Sequence, residues 1–281
     1  MAAIKYPRKE EPRMLYGASA LALLAAAYLF LVWPRLPRRD MSPFLGHDYA
    51  HRGLWSAAFP ENSLPAFRAS AEGGFGIETD VRMTRDGELV LFHDASLARM
   101  CGIDRQVSDC TLRELRQYRL AGSGEPIPTL NELLEAVDGR VPLILEIKPD
   151  RRVNELCARL HARMQMYAGV WCMESFHPLA VRWFRKNAPQ VIRGQLAYGL
   201  RGGEAHPRTA LSLGLAALLP NAVGRPDFIA HEARSDRTPA MALMRRLRPW
   251  LVAWTVRTQE DMDSLCARYD LQIFEGFVPK R

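Results

Sequence analysis

The chain has 281 residues, 48% of them hydrophobic, with a formal charge of +7 and a pI near 9.4. That length fits a single domain and requires no second one. The positive charge suits an anionic membrane surface or the capture of anionic substrates. Nucleic-acid binding is disfavoured, because the arginines are scattered over many predicted helices with no basic-aromatic array.

Residues 1–13 form a short basic flank containing Lys5, Arg8, Lys9 and Arg13. Met14 to Trp33 follows, a run without charge long enough to cross a bilayer. Tyr16, Tyr28 and Trp33 sit near its ends, where amphipathic aromatics belong. A cleaved signal peptide would have a shorter apolar core and a small-x-small site, and Leu31-Val32-Trp33-Pro34-Arg35 is a poor one. The segment reads as a single uncleaved transmembrane helix over 14–33, which makes the cell membrane the expected location. Orientation is nearly balanced, with four basic residues before the segment and Arg35, Arg38 and Arg39 after it. Residues 34–44 read as a stiff, charged juxtamembrane linker.

The folded domain is expected over 45–281. Its first short strand ends at His51-Arg52-Gly53. Leu64–Glu72 reads as a helix capped by Asn62 or Ser63, with Pro65 in its first turn and Gly73-Gly74 as its stop. In Ile77–Val81, β-branched residues flank Glu78 and Asp80. Side chains at i and i+2 of a strand share a face, so both carboxylates point at one place. They repel unless a proton or a cation neutralises them. A divalent metal with hard oxygen ligands resolves the conflict; a solvent-facing polar stripe on an edge strand is the alternative.

Asp86-Gly87 marks a hairpin leading into Leu89–Phe92, which ends in His93-Asp94. Helices over 111–118 and 129–137 follow, the second opened by a Thr129/Glu132 capping box. The buried strand 141–147 carries Glu146, with Lys148 just beyond. Further strands are expected at 170–174, 191–196, 215–220, 251–256 and 271–275, separated by helices at 151–167, 178–187, 206–213, 239–247 and 258–268. That makes nine candidate strands for an eight-strand barrel, so one arm of the hairpin is expected outside the ring. Four apolar runs end in ionisable residues, and in barrels of alternating β and α the C-terminal strand ends carry the chemistry. Cys101, Cys110, Cys157, Cys172 and Cys266 match no zinc spacing and read as buried free thiols. Their odd number leans against an oxidising compartment, and so toward a cytoplasmic catalytic domain; a Cys101–Cys110 bridge would argue the opposite.

Taken in order, His51-Arg52-Gly53, Pro60-Glu61-Asn62-Ser63, Ile77-Glu78-Thr79-Asp80-Val81, Thr84-Arg85-Asp86-Gly87, His93-Asp94, Pro128-Thr129-Leu130, Glu146-Ile147-Lys148 and Ser175-Phe176 resemble the glycerophosphodiester phosphodiesterase family. The resemblance runs from about residue 48 to the end. It implies a TIM-type barrel of the phospholipase-C-like kind, an α/β fold here preceded by the N-terminal transmembrane helix. It also implies a divalent cation, magnesium or calcium, and hydrolysis of phosphodiesters bearing glycerol or a related alcohol.

On this reading Glu78, Asp80 and Glu146 hold the metal. Arg52 and Lys148 contact phosphate oxygens, the first bidentately and the second as a point charge. His51 and His93 end different strands, and histidine suits either proton role. The resemblance implies that one deprotonates the nucleophile and the other protonates the leaving alcohol. It also implies that Glu61 supports the site, as a partner of Arg52 or a histidine or as an added ligand. Trp254, in Trp254-Thr255-Val256, fits a wall of the substrate pocket. Two places depart from the family pattern: Arg257 stands where asparagine is usual, and the last strand reads Leu271-Gln272-Ile273-Phe274-Glu275-Gly276 in place of the glycine-aspartate-glycine-isoleucine pattern with its threonine-aspartate. A lysophospholipase D acting on lysolipids is the alternative substrate reading. A catalytically silent lipid-binding barrel would require lost ligands or histidines, and none is missing.

Overall fold

The computed structural model describes residues 11–200 and 209–280, with side chains from residue 16 onward. The basic residues of the N-terminal flank lie outside the described side chains. The strands are β1 (Tyr49–His51), β2 (Gly76–Met83), β3 (Leu89–Leu91), β4 (Leu143–Ile147), β5 (Trp171–Ser175), β6 (Arg193–Ala197), β7 (Phe228–Glu232), β8 (Trp250–Val256) and β9 (Leu271–Phe274). β1 pairs in parallel with both β2 and β9, which closes the ring β1-β2-β4-β5-β6-β7-β8-β9, parallel throughout. β3 pairs antiparallel with β2 across the Asp86-Gly87 turn and is the strand outside the ring. The fold is a closed eight-stranded barrel of the TIM type.

One strand is not where the sequence pattern puts it. The apolar run 215–220 is the end of the helix Ala210–Ala216 and the turn that follows. Thr209 and Ser212 cap each other's backbone at the helix start, which commits the run to helix. The missing strand is β7, whose polar end, His231 and Glu232, hides it from a search for apolar runs. The Thr129/Glu132 capping box forms as expected.

Alternation along the strands sorts the residues into layers. Ile77, Val81, Leu143, Leu145 and Ile147 pack outward with Phe67, Leu133, Leu156 and Phe184 of the surrounding helices. Ile144, in the other register, joins Tyr49, Cys172, Phe228, Val252 and Ile273 in an apolar plug that fills the barrel. Glu78, Asp80 and Glu146, all buried, lie toward the C-terminal strand ends.

Segment 34–44, read above as a linker, lies across the N-terminal floor of the barrel. Arg35 pairs with Asp227, and Trp250 Nε1 donates to Arg39 O at 3.0 Å. Met41 and Phe44 are buried within the plug, and the Tyr49 hydroxyl donates to Phe44 O at 2.9 Å. Ahead of this segment runs the helix Glu11–Val32. Residues 16–27 are exposed, whereas its last turn docks: Tyr28 Oη donates to Ala217 O and Asn221 Nδ2 to Val32 O, both at 3.0 Å. Among the described residues no helix is long and apolar enough to cross a membrane, so the structure does not support the transmembrane helix expected over 14–33. All five cysteines are free, Cys101 and Cys110 included.

Candidate active site

The turn after β1 is built from left-handed residues. Arg52 (φ +60°) and Asn62 (φ +52°) both lie in the region that non-glycine residues rarely adopt. Gly53 (φ +82°) lies between them, and a Cβ there would come within 3.0 Å of Ala66. Asn62 N–H donates to Arg52 O at 2.9 Å, which locks the two strained positions together. Arg52 N–H in turn donates to Glu78 O at 2.8 Å and to Glu78 Oε2 at 3.2 Å. The Arg52 side chain reaches Glu61 Oε1 at 2.9 Å and lies 3.5 Å from Asp80 Oδ2. Ser63, not Asn62, caps the following helix, which frees the Asn62 amide for Asp80.

Glu78, Asp80 and Glu146 each offer an oxygen within 4.8 Å of the others. β2 and β4 hold Asp80 and Glu146 in direct register. Burial, then the charges of Asp80 and Glu146, pushes the Glu78 carboxyl well up. Burial carries Glu146 up to about 7 against the pull of Lys148. Asp80 goes the other way: burial opposes ionisation, but Lys148, His93 and Arg52 hold it well below the usual carboxylate range. Lys148 Nζ lies 2.8 Å from Glu146 Oε2 and 3.2 Å from Asp80 Oδ1. Asp80 Oδ1 is nevertheless buried without a directed hydrogen bond. Three crowded carboxylates, two of them resisting ionisation and the third with an oxygen that receives no directed hydrogen bond, form an all-oxygen donor set that fits a hard divalent cation.

His51 and His93 end different segments and face one cavity of about 460 Å³, also lined by Arg52, Glu61, Glu78, Glu146, Lys148 and Trp254. Each histidine has a carboxylate on Nδ1. Asp94 Oδ1 lies 2.7 Å from His93 Nδ1, and Glu275 Oε2 lies 2.6 Å from His51 Nδ1. An ionised carboxylate only accepts, so Nδ1 carries the proton in both rings and Nε2 is left for the cavity. His51 Nε2 is 3.8 Å from Glu78 Oε2. Burial lowers both histidines, His93 to about 4, which keeps the rings neutral near pH 7. Glu61 bridges two arginines, accepting from Arg52 at 2.9 Å and from Arg99 Nη2 at 2.6 Å. Trp254 packs edge-on against Phe176, ring centres 5.6 Å apart, with its buried Nε1 unpaired among the described residues.

A family model described as the glycerophosphoryl diester phosphodiesterase family matches residues 51–269, from the first candidate histidine to the last barrel helix. The chain belongs to this family. Among its relatives is a Mycobacterium tuberculosis protein named "Probable glycerophosphodiester phosphodiesterase 1", 49% identical over 248 residues, covering 78% of this chain and 85% of the relative. A second protein of that organism, "Probable glycerophosphodiester phosphodiesterase 2", is 44% identical over 114 residues. That match spans 38% of this chain and 43% of the relative, so the chain covers less than half of that relative's length. Among solved structures, an Oleispira antarctica phosphodiesterase in complex with the product sn-glycerol-3-phosphate superposes with a TM-score of 0.68 at 23% identity, over 82% of this chain and 93% of the other. At that identity the likeness speaks for the barrel alone.

Three residues of this family member's site were not singled out in the sequence. Asn62 donates to Asp80 from within the loop. Glu174 lines the cavity beside Glu146 in register, buried, with Oε2 unpaired among the described residues; burial, then Glu146, pushes its carboxyl well up. Glu275 holds His51. Both glutamates end apolar runs, at 170–174 and 271–275, so the rule that selected His93 and Glu146 applies to them too. Asn62 carries no such signal, because its role depends on a backbone conformation.

Proposed function

We propose that the chain hydrolyses glycerophosphodiesters to glycerol 3-phosphate and an alcohol. The observation that carries this reading is the pair of neutral histidines, each proton-bearing at Nδ1 through a carboxylate and open at Nε2, on either side of a buried carboxylate trio. Hydrolysis adds negative charge to the non-bridging phosphoryl oxygens and moves a proton at each end of the reacting axis. One histidine takes the proton of the attacking oxygen, either from water directly or from the adjacent substrate hydroxyl, in which case a cyclic phosphate forms first and water then opens it to glycerol 3-phosphate. The other, once it has bound a second proton at Nε2, gives that proton to the leaving alcohol as its P–O bond breaks and returns to the neutral Nδ1–H form. Arg52 and Lys148 neutralise phosphate oxygens, Glu61 holds Arg52, and Trp254 walls the alcohol side.

Glu78, Asp80 and Glu146 would hold Mg²⁺ or Ca²⁺, which as a Lewis acid polarises the phosphoryl group. Membrane attachment through the N-terminal helix belongs to the same proposal. Leu21, Leu23 and Leu24 are about 70% exposed within an uncharged stretch, an apolar surface of the kind that meets lipid or a partner. Five free thiols suit a reducing compartment, and with it a catalytic domain on the cytoplasmic side of the cell membrane. The test is the full chain with Mg²⁺ or Ca²⁺ and glycerophosphocholine, glycerophosphoethanolamine or lysophosphatidylcholine, products identified by mass. Glycerol 3-phosphate from the first two supports the reading. Lysophosphatidic acid alone assigns the chain to lysophospholipid cleavage, and no product from any of them overturns the proposal.

A further inference from the structure

Two departures from the family pattern, Arg257 and Glu275, touch one another. Arg257 Nε donates to Glu275 Oε1 at 2.8 Å, and Glu275 Oε2 receives His51 Nδ1 at 2.6 Å. The same device serves the other histidine, where Arg99 Nε donates to Asp94 Oδ2 at 2.5 Å and Asp94 Oδ1 receives His93 Nδ1 at 2.7 Å. The two chains differ in origin. Asp94 is the neighbour of His93, whereas Glu275 follows β9, which lies against β1 only because the barrel closes there. Apart from Glu275, the charged group that the His51 ring comes within 4 Å of among the described residues is Glu78, 3.8 Å from Nε2.

We propose that Glu275, oriented by Arg257, is a positioning residue for His51: it fixes the ring and its tautomer, so that Nε2 is the nitrogen that exchanges protons with the reactants. This rests on the phosphodiesterase reading above. The physical argument is one of donors and acceptors. A carboxylate between Arg257 and His51 accepts from both, so Nδ1 keeps its hydrogen and the lone pair lies at Nε2. Burial would favour the neutral acid, but the bonds from His51 and Arg257 hold Glu275 ionised, at about 2.

Arg257 makes the idea testable, because it dictates how an amide would sit at position 275. In Glu275→Gln the carbonyl must face the Arg257 donor, which turns the NH2 toward His51 Nδ1. His51 Nδ1 then becomes an acceptor and the ring is driven to the Nε2–H tautomer, which disables Nε2 as a base. Removing Arg257 as well lets the amide flip and restores an acceptor to Nδ1.

The experiment uses the full chain with Mg²⁺ and glycerophosphocholine, comparing wild type, E275Q, R257A and E275Q/R257A. Side-chain ¹⁵N NMR reads the histidine tautomers, with His51 assigned by H51N. E275Q is expected to lower kcat by about 10²- to 10⁴-fold, the scale of a wrong tautomer in a catalytic imidazole, with KM within about threefold. E275Q/R257A is expected to regain at least about tenfold over E275Q, and R257A alone to lose far less than E275Q. His51 should read Nδ1–H in wild type and Nε2–H in E275Q. Wild-type kcat in E275Q, a KM change alone, equal loss in E275Q and the double variant, or an unchanged tautomer each overturns the proposal. If E275Q does not fold, the tautomer and kcat of R257A decide, since loss of Nδ1–H order there with lowered kcat is required and its absence overturns the assignment. If wild type turns over no phosphodiester, the functional reading fails separately, and the tautomers of wild type and E275Q still decide whether Glu275 sets the ring.

Discussion

Asn62 Nδ2 donates to Asp80 Oδ2 at 2.9 Å, while Thr79 Oγ1 donates to Asn62 Oδ1 at 2.7 Å. One amide thus ties the left-handed loop after β1 to a candidate metal ligand and to the residue beside it on β2. Asparagine tolerates φ above zero better than most side chains, and its two polar ends serve two partners. Asn62→Gly separates the functions, since glycine keeps the backbone free to adopt the turn but removes the amide. Cation affinity is expected to fall about 10- to 100-fold, the usual effect of losing a group that orients a ligand. Isothermal titration with Mg²⁺ and Ca²⁺ checks this; unchanged affinity would reduce Asn62 to a loop residue.

The crowding of Glu78 against Asp80 and Glu146 predicts opposite effects on stability and turnover. Glu78 is buried, and its charge is resisted first by burial and then by its neighbours. In chelator at pH 8, Glu78→Gln removes that repulsion at nearly constant shape. It is expected to raise Tm by about 2–4 °C, the shift produced by about 1 kcal/mol in a domain of this size. Turnover with Mg²⁺ is expected to fall at least about a hundredfold as a ligand is lost. Thermal melts and kinetics on the same preparation test both arms. A lowered Tm would mean that the trio does not repel in the absence of a cation.

These two residues show how far a sequence carries. Glu78 was legible because an i, i+2 pair of carboxylates in a β-branched strand has few explanations. The ring, its supernumerary strand and the histidines at strand ends were legible for a similar reason, since apolar runs that stop at charge have to end somewhere with a purpose. Local pattern loses its grip where contacts are made by closure. Glu275 meets His51 because β9 returns to β1, and no spacing along the chain encodes that meeting. It fails again at 215–220, where a capped helix terminus and a strand share the same apolar composition. The segment 34–44 misled in its own way, because proline and arginine mark a linker equally well whether it hangs free or lies on a barrel floor.

Cation binding should depend on pH, with a sign fixed by the carboxylates. Burial pushes Glu146 up to about 7, and Glu78 is raised as well. A ligand must be ionised to bind, so cation affinity rises as pH climbs through this range and weakens below it. Between pH 8 and pH 6 it is expected to drop by at least about tenfold, with release of at least one proton per cation bound. Titration calorimetry in buffers of different ionisation enthalpy measures that release. His93 is not the source, since burial leaves it at about 4, below the window. Lys148→Met removes the cation that opposes the shift in Glu146, and should move the weakening to higher pH. A flat affinity profile in wild type would contradict the assignment of Glu146 as a ligand.

Where the chain can be cut follows from where contacts to the barrel begin. Residues 16–27 are exposed, whereas Tyr28 bonds Ala217, Arg225 Nη1 donates to Phe30 O and Trp33 O at 2.6 and 2.8 Å, and Val32 is buried. Deleting residues 1–26 therefore removes the apolar exposed stretch and keeps the docked turn and the floor. That variant is expected to leave anionic vesicles, keep its Tm within about 2 °C, and hydrolyse glycerophosphocholine as the full chain does. Deleting residues 1–44 takes Met41 and Phe44 out of the barrel plug, where each large side chain contributes roughly 2–5 kcal/mol. Its Tm is expected to fall by more than about 8 °C, given about 2–4 °C per kcal/mol in a domain of this size. Vesicle co-sedimentation and thermal melts of the two variants separate the questions. Retention of the shorter deletion on vesicles would move the attachment onto the barrel itself, where Arg38 stacks over Trp250 at 5.3 Å on the basic floor. Equal melting of the two variants would show that the floor segment is dispensable and that the barrel is closed without it.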